Sequence, residues 1–267
     1  MERASMFYRE AAPSYDLESY ILSFWELAVP VDSPDQPAYE IFPDGCSSLF
    51  YIRNVDRRIS LVGISGLMLE TITRPVFAGD TFWGMRLSPA ACSALLRVDP
   101  AKFLRVQMPI SASDLPHLAE GLLDQIAGSA TFEDFISICE KRIRDMVSDG
   151  CHYDAAVSEA VRSMTAGPGE IRIDRLAASL GLSTRQFQRR FKASSGISPK
   201  QFLRTRRIRA TAVDLVENRD QNWAARAAEL GFADQAHLTH EFVSLTNRSP
   251  SSFAETLRDI SHGDLIK

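Results

Sequence analysis

The chain has 267 residues, 45% of them hydrophobic and 24% charged, with a formal net charge of −4. That is enough chain for two compact domains with their own cores, and no apolar run approaches the roughly 18 residues of a membrane-spanning helix. Charge divides unevenly: residues 1–150 hold 13 basic and 21 acidic side chains (−8), residues 151–267 hold 17 and 13 (+4). An anionic partner is therefore expected on the second part, and the overall acidity misleads.

The N-terminus MERASMFYRE lacks the apolar stretch of an export signal, so a cytoplasmic location is expected. From Leu17 to Ser88 short apolar runs (SYILSFWELAV, YEIFP, SSLFYI, ISLVGISG, LETIT, FWGMRL) alternate with turn residues at Val31–Pro37, Pro43–Gly45, Arg53–Arg58 and Ala78–Asp80. This texture predicts β-strands in a sandwich or barrel. After Ser88-Pro89 the run AACSALLR predicts a short helix, with another short piece after Asp99-Pro100. Helices are predicted over Ser113–Ala127 and Thr131–Ser148. The second carries one apolar stripe (Phe132, Phe135, Ile136, Cys139, Ile143, Met146, Val147), and Thr131 with Asp134 suits its N-terminal cap. That stripe has two readings, packing on the β-rich part or self-association into a homodimer. Gly150 is a natural domain junction, and Tyr153–Met164 predicts a further helix that stops at Thr165–Gly169.

Side-chain inventory excludes several chemistries. The five histidines, His117, His152, His237, His240 and His262, all lie outside the β-rich stretch, so a His-ligated metal there is not expected. Cys46, Cys92, Cys139 and Cys151 are far apart without CxxC spacing, which reads as reduced, mostly buried thiols and not as a zinc site. Cys46 would serve as a redox sensor only if its neighbours lowered its pKa. No nucleophile–base pair is visible. The chain reads as a non-enzyme with no cofactor and no metal.

The most basic stretch is Leu182–Arg209, with nine Arg or Lys, Arg175 just before it, and no acid. Ser183 suits a helix cap. Phe187 and Phe191, four apart, point to one side, and Arg185, Arg189 and Lys192 point away. Around it lies an internal repeat. Ala177, Ala178, Leu180 and Gly181 recur fifty positions later as Ala227, Ala228, Leu230 and Gly231; Phe187, Phe191, Ser198, Pro199 and Phe202 recur fifty-one later as Leu238, Phe242, Ser249, Pro250 and Phe253. Each copy reads as helix, glycine turn, helix, a plan that places its second helix in the DNA major groove. The helix from Ser198-Pro199 to about Val216 would space the two copies.

These features (LAASLGLSTRQFQRRFKASSGISPKQFLRTRRIRAT, then AAELGFADQAHLTHEFVSLTNRSPSSF, with two Ser-Pro closures) resemble the DNA-binding domain of the AraC/XylS family of bacterial transcription regulators over Tyr153–Leu257. The resemblance implies a helical, two-motif domain that binds promoter DNA and usually activates transcription, with RNA polymerase as a further partner. Carried over by position, Arg185, Gln188 and Arg189 would read bases, with Gln235, Ala236, His237 and His240 as their counterparts in the second motif. Arg190, Lys192, Lys200, Arg204 and Arg206 would touch phosphates. The second copy departs from the family pattern in His240-Glu241, where basic residues are common, and in Asn247, where Gly is usual. Residues 17–106 resemble a cupin-like variant of the family's effector domain through Ser23–Trp25, Phe42–Cys46 and Arg86–Pro89. A small-molecule pocket there would use Phe24, Trp25, Phe42, Trp83 and Arg86, although aromatics in a small β domain are more often core.

The expected class is thus α+β. A β-sandwich or cupin-like effector domain spans 1–112, a helical connector and candidate dimerisation segment 113–150, and an all-α double helix-turn-helix domain 151–260. In the alternative reading the first part serves only dimerisation or protein contact.

Overall fold

The computed structural model describes residues 6–33, 38–104, 107–109, 115–218 and 222–258. The expected turn at 31–37, the boundary at 112/113 and His262 fall partly or wholly outside them. The chain is α+β. The first part carries, among the described residues, strands β1 (Phe7–Ala11), β2 (Ile21–Ala28), β3 (Ala38–Ile41), β4 (Ser48–Asn54), β5 (Ile59–Ser65), β6 (Ile72–Pro75), β7 (Thr81–Leu87) and, after a short helix, β8 (Gln107–Pro109). Six form an antiparallel sheet in the order β1-β2-β7-β4-β5-β8, and β3 pairs with β6.

Period-two alternation gives this sheet two unlike faces. Phe24, Leu49, Tyr51, Val62, Ile64, Trp83 and Met85 share one core with Leu95 and Leu96 of α1 (Cys92–Leu96), Leu122 and Ile126 of α3 (Leu122–Ala127) and the stripe of α4 (Phe132–Ser148). Phe135 of α4 lies against both Phe24 and Trp83, ring centroids 6.2 and 5.8 Å away. Each such fully buried aromatic contributes about 1.5–3 kcal/mol. The α4 stripe thus packs within the chain. Thr131 and Asp134 form the reciprocal cap at its start.

Two departures from the sequence reading are local. The helix predicted over 113–127 is two pieces, α2 (Pro116–Ala119) and α3, because Gly121 takes φ +66° between them. Strands β1 and β8 lie outside the stretch whose texture predicts strands: FYREA is half polar and β8 has three residues, too short to show alternation. The rest is helical: α5 (Ala155–Ala166), α6 (Ile173–Ser179), α7 (Thr184–Ser195), α8 (Pro199–Glu217), α9 (Trp223–Glu229), α10 (Gln235–Thr246) and α11 (Pro250–Arg258).

Candidate nucleic-acid interface

Each repeat copy closes in the same way. Gly181 (φ +68°) and Gly231 (φ +77°) turn α6 into α7 and α9 into α10. Ser183 and Asp234 cap the second helices, accepting from the backbone N–H of Gln186 and His237. Gly196 (φ +85°) ends α7. Its repeat equivalent Asn247 ends α10 in the same left-handed conformation (φ +58°), which Asn tolerates.

On α7, Phe187 and Phe191 are fully buried while Arg185, Gln188, Arg189 and Lys192 stand exposed. Together they form an outward face with three cations. On α10, Leu238 and Phe242 are buried and Gln235, Ala236, His237 and His240 are exposed. His237 has a further duty: its Nδ1 accepts the backbone N–H of Ala233 (3.1 Å), so it braces the start of α10 as Gln186 braces α7 by accepting from Ser183. The +51 offset that relates the copies pairs Arg185 with Ala236, Gln188 with Thr239, Arg189 with His240 and Lys192 with Val243. The same offset thus adds Thr239 and Val243 to the positions of α10 that correspond to the outward face of α7.

The remaining cations are mostly engaged inside the protein. Arg190 donates two hydrogen bonds to Asp154 (2.8 and 2.7 Å), and Arg204 pairs with Glu241 and donates to the Ser244 hydroxyl. Arg206, expected at phosphates, turns inward instead: its Nε is enclosed with no hydrogen-bond partner, and burial pulls its guanidinium down to about 10. Arg207 donates to the carbonyls of Pro168, Gly169 and Ile171. Lys200 is exposed. Arg204 and Arg206, expected at phosphates, thus have intramolecular surroundings that charge counting alone does not reveal.

Residues 176–256 match a family described as a helix-turn-helix domain. The C-terminal region is an AraC-type helix-turn-helix DNA-binding domain. Residues 9–109 match a domain of unknown function, DUF6597. No curated protein matches the chain. Among solved structures, it is similar to ToxT from Vibrio cholerae in its unsaturated-fatty-acid-bound form (11% identity, 98% of this chain and 99% of that one, TM-score 0.41). It is also similar to the DNA-binding domain of the global transcriptional factor AdpA in complex with a target DNA (28%, 38% and 92%, 0.35), and to the C-terminal domain of the response regulator AraT from Geobacillus stearothermophilus (20%, 39% and 86%, 0.36). Because these scores lie below 0.5, the assignment rests on the matched sequence domain. No helix of the described residues is long and apolar enough to cross a membrane. Nor do those residues contain a cluster of three or more His, Cys, Asp or Glu able to hold a metal.

The AraC-type domain is built onto the β-rich part through a buried ionic junction. Arg86 of β7 donates Nε to Asp44 (2.7 Å) and Nη1 to Ser23 (2.6 Å) and to Glu10 (3.1 Å). Arg209 of α8 donates to the same Glu10 (3.1 Å). Burial opposes the charge of Glu10, but Arg86 and Arg209 outweigh it and hold the carboxyl below its ordinary value. Burial pushes the neighbouring Tyr39 phenol up to about 12. Phe42 packs against Phe242 and Phe253 of the second motif, centroids 6.3 and 5.4 Å away, and Arg248 pairs with Glu40.

The five residues expected in an effector pocket do not share one wall. Phe24 and Trp83 lie in the core under α4, and Phe42 belongs to the second motif. Trp25 and Arg86 point to the opposite sheet face, as strand register requires: Trp25 lies opposite Gly84, and Ser23 opposite Arg86. That face also carries Phe50, Ile52, Leu61 and Phe82. All of these, with Trp25, are only partly buried and belong to no core cluster. Gly84 gives the indole room, since a Cβ there would sit 1.9 Å from the Trp25 ring.

Proposed function

We propose that this AraC-type DNA-binding regulator is a transcription activator controlled by a small, largely apolar effector, with functional divisions near residues 112 and 150. Activation follows from the family resemblance. One observation carries the effector: the half-buried apolar sheet face of Trp25, Phe50, Ile52, Leu61 and Phe82 runs up to Arg86, which meets Arg209 of the DNA-binding domain through a shared Glu10. A ligand on that face would bear on the link between the two parts, and an apolar face with a few convergent polar groups is the usual form of such a site. On the DNA side, Arg185, Gln188 and Arg189 would read base edges, with Lys192 and Lys200 at phosphates. Arg189 would supply more affinity than its second-motif counterpart His240.

A thermal-shift screen of small apolar metabolites tests the effector reading, because a ligand bound only by the folded state raises the melting temperature by mass action. Hits that vanish in Phe50→Ala are expected. A screen with no hits would favour a first part that serves only contacts with other proteins or a second copy.

A further inference from the structure

We infer that α10 reads thymine 5-methyl groups, so that the two recognition helices recognise DNA by different chemistry; the inference rests on the DNA-reading role of both motifs. The repeat makes Ala236, Thr239, His240 and Val243 the counterparts of Arg185, Gln188, Arg189 and Lys192. Where α7 presents guanidinium, amide and ammonium groups, α10 presents a methyl, a β-branched side chain, an imidazole and an exposed Val243. The Thr239 hydroxyl is already committed, donating to the carbonyl of Gln235 (2.9 Å), which leaves the γ-methyl as the uncommitted tip of this half-buried side chain. His237 is spent on the Ala233 N–H.

No Lys or Arg occurs between Gln235 and Thr246, so this helix is poorly equipped to bind phosphates or guanine edges. It is not electrostatically barred from the groove either. The one acid in α10, Glu241, is paired with Arg204 and is mostly buried. That pair, together with the Arg204 bond to Ser244, holds α10 on α8, the helix that also follows α7. A face without Lys or Arg, on which Ala236, Thr239 and Val243 carry methyl groups, delivered on the same scaffold as a cationic one, matches the one apolar feature of the major groove, the thymine methyl.

The test begins with selection of duplexes from random sequence by the full chain. The selected duplex is then synthesised with deoxyuridine in place of thymidine, which removes only the 5-methyl group. For thymines in one half of the site we expect affinity to fall about fourfold per methyl, the worth of one buried methylene-sized group. Thymines in the half affected by Arg189→Ala should be indifferent. The variant carrying Thr239→Ser and Val243→Ala keeps the hydroxyl bond to Gln235 and should bind both duplexes equally. Unchanged affinity on uracil substitution, or a methyl effect that persists in this variant, would overturn the inference while leaving DNA binding intact. Failure to select any duplex removes the DNA-reading role itself, and the inference with it.

Discussion

Glu10 of β1 and Arg209 of α8 meet at 3.1 Å across 199 positions of sequence, with Arg86 on the same carboxylate. The three side chains are between 9% and 16% exposed, so removing the acid takes a shared counter-charge from two enclosed guanidinium groups, although Arg86 keeps Asp44 and Ser23. Replacing Glu10 by Ala should cost about 3 kcal/mol, the usual scale for breaking a buried ion pair, and urea unfolding of the full chain measures it.

The same junction sets an acid limit. Because the folded-state pKa of Glu10 lies below its ordinary value of 4.5, its stabilising contribution is complete above that value. It is lost as pH falls through the lower, folded value. Melting temperatures of the wild type and Glu10→Gln should therefore differ at pH 7 and converge under strongly acidic conditions. A gap that widens on acidification would contradict the ionic description.

The thiols should be inert. All four cysteines are buried. Burial raises each of them, Cys92 to about 12 and Cys46 further still, the reverse of what a redox sensor requires. Iodoacetamide at pH 7.5 should label none of them until denaturant unfolds the chain.

Much of the C-terminal design was legible because it is periodic and local. Phe187 and Phe191 four apart, the cap at Ser183 and the repeated Gly and Ser-Pro positions each express a short-range rule, and each appears at the expected place. The functional sorting of cations was not legible. Whether Arg206 faces solvent or the β-rich part, and whether Arg204 is free or held by Glu241, depends on partners 37 or more residues away. The aromatic residues of the first part are sorted by a local rule instead: Phe24 and Trp25 are adjacent in sequence, and strand alternation sends them to opposite faces.

DNA affinity should divide unequally between the motifs. Arg189→Ala is expected to weaken binding by about 1–3 kcal/mol and relax sequence choice, with His240→Ala costing less. Lys192→Ala should lower the salt slope by roughly one unit. Fluorescence anisotropy on a selected duplex at several salt concentrations gives all three values.

Gly84 offers a probe of the half-buried sheet face that carries Trp25. An Ala there drives its Cβ into the Trp25 indole and should cost about 1–3 kcal/mol through overpacking. The displaced ring should shift the tryptophan emission maximum. An unchanged spectrum and unchanged stability would mean that the indole does not lie over Gly84.

The Glu10–Arg209 contact also imposes an order on biosynthesis. At 5–20 residues per second, Arg209 leaves the ribosome roughly 10–40 s after Glu10. During that interval the nascent sheet has only Arg86 to neutralise a carboxylate meant for two cations. The N-terminal part therefore waits with its junction unfinished, and it gains its last ionic partner only when the linker helix of the DNA-binding domain has been made.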